Sequence, residues 1–565
     1  MLPSSGTGTA IDDPQPPAEL PAVGAERRTA NEQILSSLTE DRHASELLKQ
    51  IWEIEVPLGR MSAPVPVSEI AESLDHVVVN RRFGVEQGTD ANGDTKIRSV
   101  DDCTESLVNA ACAVRERLHH DGLDSLVQCA KRLSTALGHN ADLSFFKADV
   151  DAAYRRVPVA SSCLNLVWIV FLVNGITWAS CHRSLAFGLV AAVHAWNRVG
   201  ACLTHICRQL LRIPLLRYVD DLFAVEPSRS APHALGCVAR VIRAVLGTDA
   251  LRAHKMAVGN YSLACQLSQW TRSWSRAACA AMQGVKVSEA PLIVLGASVS
   301  CLIAVLRCCP SPDKAAKWSD ILLRVIATGI MSPGLAKKMA GRLSWAAQTT
   351  FRRAGRAMVR PFFASAFAPL GGARAGPALL SACHWWLVVL RSGISEAIPL
   401  RISSREPVIL LTDARGLPAH TGAVLYADGH KFYTALAPPA SATSWFSKRA
   451  DNQIMGLEIF AVVVALSTFW VHLQGRSVIV FVDNTGGEHA LLRGSAKSSD
   501  HNALVHGIWT AALLGNIGLW FERVSSRENI ADLPSREEYE LLKQLGATWV
   551  EPSIDETVWN PGVPT

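Results

Sequence analysis

Hydrophobic and polar residues alternate along this chain with two different periods. Between about residues 75 and 300, strand-length runs such as "FFKADV", "LVWIVFLV" and "LLRYVDDLFAVE" are separated by longer stretches with apolar residues three and four apart, such as "AFGLVAAVHAWNRVGACLTHICRQLL". A period of two predicts strands, and a period near 3.6 predicts helices. This region is therefore predicted to mix strands and helices, after a helical stretch from Asn31 to Trp52.

The most apolar run, "CLNLVWIVFLVNGITWASC", is interrupted by Asn174-Gly175. Asn-Gly is a strong signal for a two-residue hairpin, and each half of the run has the length of a strand rather than of a membrane span. We therefore predict a buried β-hairpin here and no membrane partner.

The pattern changes twice more in the second half of the chain. Residues 312–395 show helical spacing of Trp, Leu and Ala throughout. After them, "VILLTDA", "GAVLYADGHKFYTALA", "QIMGLEIFAVVVALSTFW" and "SVIVFVDN" predict a strand, a hairpin around Asp428-Gly429, a helix and a strand. A second α/β domain with its own core is expected.

The length of 565 residues requires at least two folded units, because single cores rarely grow beyond about 250 to 300 residues. The predicted fold class is α+β multidomain. The predicted segments are a disordered leader rich in Pro, Gly, Ser and Ala at 1–30, a helical extension at 31–74, a first mixed region at 75–310, a helical region at 311–400, an α/β domain at 401–540 and a tail at 541–565.

Composition narrows the class of protein only modestly. Hydrophobic residues make up 49% and charged residues 19%, as in well-packed globular domains. The net charge of +5 is too small to identify a nucleic-acid partner by itself. The 14 cysteines form no C-x-x-C pairs, which argues against a zinc module or a disulfide scaffold. No secretory signal is visible, so we expect an intracellular protein of the nucleus or cytoplasm.

Two adjacent acids, Asp220 and Asp221, interrupt an apolar run in "YVDD". A tight turn is the ordinary explanation for such a pair, and a metal site at a hairpin tip is the alternative, because Mg²⁺ prefers hard oxygen ligands. Asp149 and Asp151 follow another strand-like run, 71 residues before Asp220 counted from Asp149. Two strands of one sheet would bring Asp149 beside Asp220.

A second set of acids lies in the C-terminal α/β region. Asp413 and Asp483 end predicted strands, Glu458 lies on the predicted helix between them, and Asp532 lies in "ENIADLPSR". Any one of them has an ordinary role as a turn or helix-cap residue. Together, four carboxylates are able to hold two Mg²⁺ ions for hydrolysis of a phosphodiester.

Four arginines lie in the helical middle, at Arg352, Arg353, Arg356 and Arg360. Their spacing allows three of them to share one helix face. Such a face suits a phosphate backbone, whose contacts set register without reading sequence. A solvated basic face is the competing interpretation.

The motifs in order resemble those of a reverse transcriptase of the long-terminal-repeat and tyrosine-recombinase retroelement type. "KADVDAAYRRVPV" is similar to the first palm motif of that family, "SLAFGLVAAVHAWNRV" to the second and "YVDD" to the third. "TDA", "DN" and "N-x-A-D-x-x-S-R" resemble signatures of the ribonuclease H domain that follows the polymerase in retroelements. The resemblance covers about residues 75–540.

The resemblance implies a role for each matching residue of the polymerase. Asp149, Asp220 and Asp221 become metal carboxylates, with the Val150 carbonyl as a further ligand. Tyr154 becomes the aromatic gate that excludes a 2′-hydroxyl. The residues implied to bind the nucleotide are Arg98, with Lys96 as a second candidate, Phe187, Gly188 and Lys255. Ala186 departs from the family, which usually has proline there.

The resemblance also implies the catalytic set of the ribonuclease H domain, Asp413, Glu458, Asp483 and Asp532, whereas neither His501 nor His506 is assigned a role. The implied fold is a right-hand polymerase of fingers, palm and thumb followed by an α/β ribonuclease H-like domain. The implied cofactor is Mg²⁺, two ions per active site, with Mn²⁺ as a substitute. The implied partners are deoxynucleoside triphosphates and a primer-template of RNA, DNA or an RNA-DNA hybrid.

Two alternatives compete with an active reverse transcriptase. One is a retroelement remnant that only binds nucleic acid, and the intact acids argue against it. The other is an RNA-dependent RNA polymerase, which uses the same carboxylate chemistry. Tyr154 and the ribonuclease H signatures argue against that second alternative.

Overall fold

The computed structural model of this protein describes residues 18–89, 95–138, 142–251, 253–259, 286–288, 290–295, 297–302, 305–349, 351, 353–367, 374–400, 405–446, 450 and 453–554. The chain divides into two compact units, Met1–Leu295 and Gly296–Thr565, which we call unit 1 and unit 2. Each unit contains both helices and sheets, which confirms a multidomain α+β fold.

The first described helix of unit 1 begins earlier in the chain than the sequence pattern predicts. They are α1 (Ala25–Ser36), α2 (Ala44–Gln50), α3 (Val108–Ala111), α4 (Leu123–Leu137), α5 (Val190–Gln209) and α6 (Ala231–Leu246). Helix α1 starts six residues before the predicted Asn31. The predicted helix to Trp52 is also broken, because the Asp41 carboxylate accepts a hydrogen bond from the His43 amide at 2.7 Å and starts a new helix.

One sheet of unit 1 has the strand order β1-β6-β5-β2-β3. Its strands are β1 (Val65–Pro66), β2 (Val79–Thr89), β3 (Thr95–Asp102), β5 (Trp168–Val173) and β6 (Ile176–Cys181). Val173 and Ile176 pair across the Asn174-Gly175 turn, which confirms the predicted hairpin. No helix in the described part of the chain combines the length and the hydropathy needed to cross a membrane.

The other sheet of unit 1 has the order β10-β9-β4-β8-β7. Its strands are β4 (Leu143–Asp149), β7 (Leu216–Tyr218), β8 (Asp221–Pro227), β9 (Met256–Gly259) and β10 (Lys286–Val287), and β11 (Leu292–Val294) follows them in the chain. Apolar residues of β4 and β8 pack with α5 and α6 in one core that includes Phe146, Leu222, Trp196 and Leu235. This core fixes the ends of β4 and β8, where the predicted acids lie.

The first half of unit 2 is helical, as predicted for residues 312–395. Its described helices are α7 (Pro312–Thr328), α8 (Pro333–Thr349), α9 (Arg360–Ala366) and α10 (Pro377–Ser392). Proline stands within the first two positions of α7, α9 and α10, where its missing N–H costs nothing. Three antiparallel strands flank this segment, namely β12 (Ala297–Leu302), β13 (Val305–Pro310) and β14 (Glu396–Pro399).

The second half of unit 2 is built on a six-stranded sheet of order β19-β18-β15-β16-β17-β20. Its strands are β15 (Val408–Arg415), β16 (His420–Ala427), β17 (His430–Leu436), β18 (Ser477–Val482), β19 (Gly518–Arg523) and β20 (Thr548–Trp549). The hairpin of β16 and β17 turns at Asp428-Gly429, as predicted. Strands β15, β18 and β19 run parallel, so their carboxyl ends meet at one edge.

Helices cover this sheet and complete the core of unit 2. The described helices are α11 (Ala440–Trp445), α12 (Ile454–Thr468), α13 (Trp470–Leu473), α14 (Thr485–Arg493), α15 (Ser499–Leu514), α16 (Asp532–Ser535) and α17 (Glu540–Gln544). Residues 456–466 of α12 are all buried, and all of them except Glu458 are apolar or glycine, as expected for a helix enclosed by the core. One contiguous core joins α7, α8 and α10 to α12, α15 and the sheet.

Candidate active sites in the two units

A cavity of about 590 Å³ in unit 1 collects residues from distant parts of the chain. Predicted polymerase residues that line it are Lys96, Arg98, Asp149, Val150, Tyr154, Phe187, Asp220 and Lys255. Gly188 and Asp221 are the two predicted residues of this set that do not line it. The cavity therefore brings together predicted residues that lie up to 159 positions apart in the chain, from Lys96 to Lys255.

Strand pairing places the acids of this cavity. Asp149 ends β4 and is the register partner of Asp221, the first residue of β8. Asp220 precedes it in the turn, where Val219 adopts a positive φ of 54°. This conformation is strained for a β-branched residue. The buried Trp196 indole donates to the Val219 carbonyl at 2.8 Å and holds the turn that presents Asp220 to the cavity.

The three carboxylates interact electrostatically. Burial raises the pKa of Asp220, a hydrogen bond to its own backbone opposes that rise, and the charge of Asp149 adds to it. Burial and the charges of Asp220 and Asp149 raise the pKa of Asp221 to about 6. The Lys255 ammonium lies 3.1 Å from an Asp149 carboxylate oxygen and 3.2 Å from one of Asp151. A cation of the protein thus already compensates part of this negative charge.

Aromatic rings form one wall of the cavity. The rings of Tyr154 and Phe187 lie 5.3 Å apart, and the Arg98 guanidinium lies 4.1 Å above the Phe187 ring. Next to them, Gly188 has φ +103°, and a Cβ there would lie 2.1 Å from the Asp101 carbonyl oxygen. Only glycine fits this position. Gly188 therefore shapes the wall from behind rather than lining the cavity.

A buried network of charged side chains adjoins this wall, and sequence reasoning missed it. The Arg82 guanidinium donates to both oxygens of Asp101 at 2.7 and 3.1 Å, and His182 Nε2 lies 2.9 Å from Asp101 Oδ2. Arg155 Nη1 lies 2.8 Å from His182 Nδ1, and the Arg155 guanidinium also pairs with Glu55. These residues come from five separate segments, and each looks ordinary in the sequence.

Hydrogen-bond donors assign the protonation state of His182. Because Arg155 can only donate, Nδ1 of His182 accepts, and its Nε2–H donates to Asp101. The 3.2 Å approach of Arg82 Nη2 to His182 Nε2 therefore joins two donors and is not a hydrogen bond. Burial, outweighing the favourable charge of Asp101, lowers the pKa of His182 to about 4. The ring is neutral at physiological pH.

Unit 2 brings three of its four predicted acids together. Oxygen atoms of Asp413, Glu458 and Asp483 all lie within 4.8 Å of one another. Asp413 comes from β15, Glu458 from α12 and Asp483 from the residue after β18. Asp532, at the start of α16, lies outside that group and pairs with Arg536 at 2.8 Å. In the described residues, the unit 1 acids Asp149, Asp220 and Asp221 do not converge as closely.

The electrostatics of this trio fit a divalent cation. Burial, opposed by a hydrogen bond from Ser535, raises the pKa of Asp413 to about 6, and the charges of Asp483 and Asp532 add to it. Burial and the charges of Asp413 and Asp483 raise the pKa of Glu458 well above its usual range. The Glu458 Oε2 atom is buried and has no hydrogen-bond partner in the described part of the protein. Hard oxygen ligands held this close are what Mg²⁺ prefers.

The "ENIADLPSR" segment supports this trio by direct contacts. The Asn529 amide donates to the Thr412 carbonyl at 2.9 Å, and the Ser535 hydroxyl donates to Asp413. Helix α16 packs so closely on β16 that a Cβ on Gly422 would lie 2.3 Å from the Ser535 amide nitrogen. Ser526, not predicted, donates to Asp483 at 2.9 Å. Ser535 belongs to the motif that the sequence shows, but its contact with Asp413 could not be read from the sequence.

The predicted arginine face is wrong as a helical face. Helix α8 ends at Thr349 and α9 begins only at Arg360, so Arg353 and Arg356 lie in the turn between them. The chain turns there because Phe351 is buried against Trp386, at 6.1 Å between ring centroids. Arg352 lies outside the described residues. The guanidinium of Arg353 stacks 5.4 Å from the Trp509 ring centroid.

Comparison with known proteins gave matches to solved structures alone. No family model matches the chain, and no curated protein matches it. Similar structures include a foamy viral protease-reverse transcriptase dRH in complex with double-stranded DNA, at TM-score 0.43 and 11% identity, covering 92% of this chain and 75% of that one.

A foamy viral protease-reverse transcriptase in complex with an RNA/DNA hybrid gives TM-score 0.43 and 11% identity, with 94% of this chain and 59% of that chain covered. In complex with double-stranded DNA, it gives TM-score 0.41 and 12% identity, with 92% and 89% covered. The chain thus spans 59% of the length of one of these proteins.

Proposed function

We propose that this protein is an RNA-directed DNA polymerase of a retroelement, with unit 1 as its polymerase and a ribonuclease H-like site in unit 2. The observation that carries the proposal is the unit 1 cavity, which combines acids, cationic side chains and an aromatic wall. That set matches the needs of phosphoryl transfer, in which positioning and charge neutralisation supply most of the catalysis. In this proposal the sheets and helices of unit 1 are the fingers and palm, and α7 to α10 belong to the thumb and connection.

The predicted acids and cationic side chains of unit 1 receive roles in the proposed reaction. Asp149, Asp220 and the Val150 carbonyl would hold Mg²⁺, with Asp221 as a further carboxylate. Bound Mg²⁺ supplies activation of the primer hydroxyl and neutralisation of the leaving phosphate. Arg98 and Lys96 bind the triphosphate of the incoming nucleotide. On binding of metal and nucleotide, Lys255, which bridges Asp149 and Asp151, would release Asp149 to Mg²⁺ and pair with the nucleotide phosphates instead.

The aromatic wall gives the proposed enzyme its choice of sugar. In this proposal the ring of Tyr154, which packs on Phe187, would close the space beside the 2′ position of a bound nucleotide. A deoxynucleotide would fit there, and a ribonucleotide would collide with the ring. Tyr154→Ala is expected to admit ribonucleotides, and unchanged discrimination between the two sugars would remove Tyr154 from this role.

The unit 2 trio supports the second proposed activity, cleavage of RNA in an RNA-DNA hybrid. Asp413, Glu458 and Asp483 would hold Mg²⁺, and Asp532 would contribute on release from Arg536. Bound Mg²⁺ supplies an activated water and stabilises the leaving 3′-oxygen. Ser535 and Ser526 orient Asp413 and Asp483 through their hydroxyl groups.

Primer extension on an RNA template, with Mg²⁺ or Mn²⁺, tests the proposal. Asp220→Asn is expected to abolish synthesis and keep RNA cleavage, whereas Asp483→Asn is expected to do the reverse. Asp428→Asn is the matched control, because this exposed acid pairs with Arg405 and Arg476 away from both sites. Loss of both activities in either single variant, or no loss in any, contradicts the assignment.

A protein that only binds nucleic acid is the second candidate function. The Lys255 ion pairs favour it, because a lysine that already neutralises the unit 1 acids competes with a metal. This candidate predicts that the unaltered protein binds a primer-template yet neither extends the primer nor cleaves RNA with either metal. Any extension that depends on Asp220 excludes it.

A further inference from the structure

A second pocket, of about 400 Å³, lies in unit 2 among arginine side chains. Three segments build it: the end of α8, the turn before α9 together with the start of α9, and the end of α14 with the loop that follows it. Its polar lining residues are Ser344, Gln348, Arg356, Arg360, Arg493 and Ser495. Arg493, Ser495, Ser344 and Gln348 have no role in the two proposed active sites, so the pocket stands apart from them.

The pocket carries positive charge that the described residues do not neutralise. No acidic residue lines it, and none of Arg356, Arg360 and Arg493 forms an ion pair with a described carboxylate. Like charges gathered without an acid repel one another, and a bound anion relieves that repulsion. The chemistry of the lining, guanidinium groups with hydroxyl and amide groups beside them, suits a phosphate.

Hydrogen bonds hold two of the guanidinium groups in place. Arg356 Nη1 donates to the Arg493 carbonyl at 3.1 Å, and Arg360 Nη2 donates to the Lys497 carbonyl at 3.3 Å. A carbonyl fixes a guanidinium without cancelling its charge, and each group keeps further N–H donors. The pocket is thus organised before any ligand binds, which lowers the entropic cost of binding.

The pocket also has a defined position relative to the carboxylate trio of the same unit. Helix α14 begins just after Asp483 and runs for nine residues, to Arg493. Nine helical residues span about 13 Å, which corresponds to roughly four base-pair steps along a duplex axis. A duplex whose scissile phosphate lies at the trio therefore has another backbone phosphate within reach of the pocket.

We propose that this arginine pocket binds a backbone phosphate of an RNA-DNA hybrid and sets its register on the unit 2 carboxylates. The identity of the polymer rests on the proposed function, whereas the phosphate chemistry rests on the pocket itself. Arg360 and Arg493 are the residues that contact the phosphate, and Arg356 positions the loop by its bond to the Arg493 carbonyl.

Hybrid binding as a function of salt tests the proposal. The full chain is titrated into a fluorescent RNA-DNA hybrid at several NaCl concentrations, in EDTA to prevent cleavage. The hybrid has roughly 18 base pairs, long enough to reach from the trio to the pocket. The double variant Arg360→Gln with Arg493→Gln is compared with Arg324→Gln with Arg391→Gln, exposed arginines of unit 2 that do not line the pocket. Thermal unfolding of each variant shows that the fold is intact.

The slope of log affinity against log salt changes by about 0.9 for each phosphate that the protein no longer neutralises. We expect the pocket variant to change the slope by about one such step and to bind the hybrid several-fold more weakly, with both effects partly restored by Arg360→Lys with Arg493→Lys. The control variant keeps the slope of the unaltered protein.

Other outcomes separate this inference from the proposed function. A pocket variant that matches the control overturns the inference, even when primer extension and RNA cleavage succeed. Unchanged hybrid binding together with weakened binding of tripolyphosphate also overturns it and leaves a small-anion site. If the pocket variant reduces the salt slope but the unaltered protein shows neither activity, the pocket is confirmed as a phosphate site and the proposed enzymatic function is rejected.

Discussion

The neutral histidine at the centre of the unit 1 network makes a quantitative prediction. His182 accepts a hydrogen bond from Arg155 and donates one to Asp101. In His182→Gln, the side-chain amide is able to make the same two bonds, since it has both an acceptor and a donor. Glutamine does not titrate. The substitution thus removes the proton equilibrium and keeps the network.

The size of the effect follows from the fall in pKa. The pKa of His182 is lowered by burial from 6.5 to about 4. Each pKa unit corresponds to about 1.4 kcal/mol, so the native state loses about 3 kcal/mol as pH falls through that window. The sign follows from proton uptake: unfolded His182 binds a proton between pH 6.5 and about 4, and folded His182 does not. The stabilisation is complete above about pH 6.5, and more than half of it is gone at about pH 5.

Urea unfolding at about pH 8 and about pH 5 measures this contribution. We expect the stability difference between the two pH values to be about 2 kcal/mol smaller in His182→Gln than in the unaltered protein. His76→Gln, at an exposed histidine of the same unit, is the control and should leave the difference unchanged. An equal pH dependence in His182→Gln and the unaltered protein would refute the neutral, buried assignment of His182.

Four further measurements test other parts of the structure. Asp413→Asn removes a buried carboxylate whose pKa is raised to about 6, so it is expected to stabilise the metal-free protein above about pH 6 by up to about 3 kcal/mol. The same variant is expected to abolish any rise of the melting temperature with Mg²⁺, and an unaltered Mg²⁺ response would contradict this. Gly188→Ala should lower the melting temperature sharply and the soluble yield with it, because its methyl group would lie 2.1 Å from the Asp101 carbonyl. Asn529→Ala should cost about 1–3 kcal/mol in urea unfolding, because it leaves the buried Thr412 carbonyl without its donor. RNA cleavage by Ser535→Ala should keep its substrate but need more Mg²⁺ for half-maximal rate, since Asp413 loses its orienting hydroxyl.

Turn residues and the local spacing of apolar residues predicted much of this fold. The Asn174-Gly175 and Asp428-Gly429 hairpins follow from turn chemistry and alternation, and both are present. Helix α5 follows from apolar spacing in the same way. The placement of Asp149 and Asp220 at one cavity was also predictable, because strands that end in acids pair at their ends.

Long-range contacts that no motif marks were not predictable from one sequence. The network around His182 joins residues as distant as Glu55 and Arg155, and nothing in the local pattern marks them as partners. The prediction that the arginines of residues 352–360 share one helix face was wrong for a related reason. Helical spacing predicted one face, but burial of Phe351 against Trp386 turns the chain there, and that packing depends on a helix further along the sequence.

The contiguous core of unit 2 has a consequence for how the protein can be taken apart. The helices before residue 400 and the sheet after it share one interior, with Trp385 against His506 at 5.0 Å and Asn502 donating to the Ala357 carbonyl at 3.2 Å. A fragment cut near residue 400 would expose that interior on both pieces and invite aggregation. Proteolysis should accordingly release the segment from α7 through β19 as one resistant body. The proposed nuclease activity should be lost in the same unfolding step as anion binding by the arginine pocket.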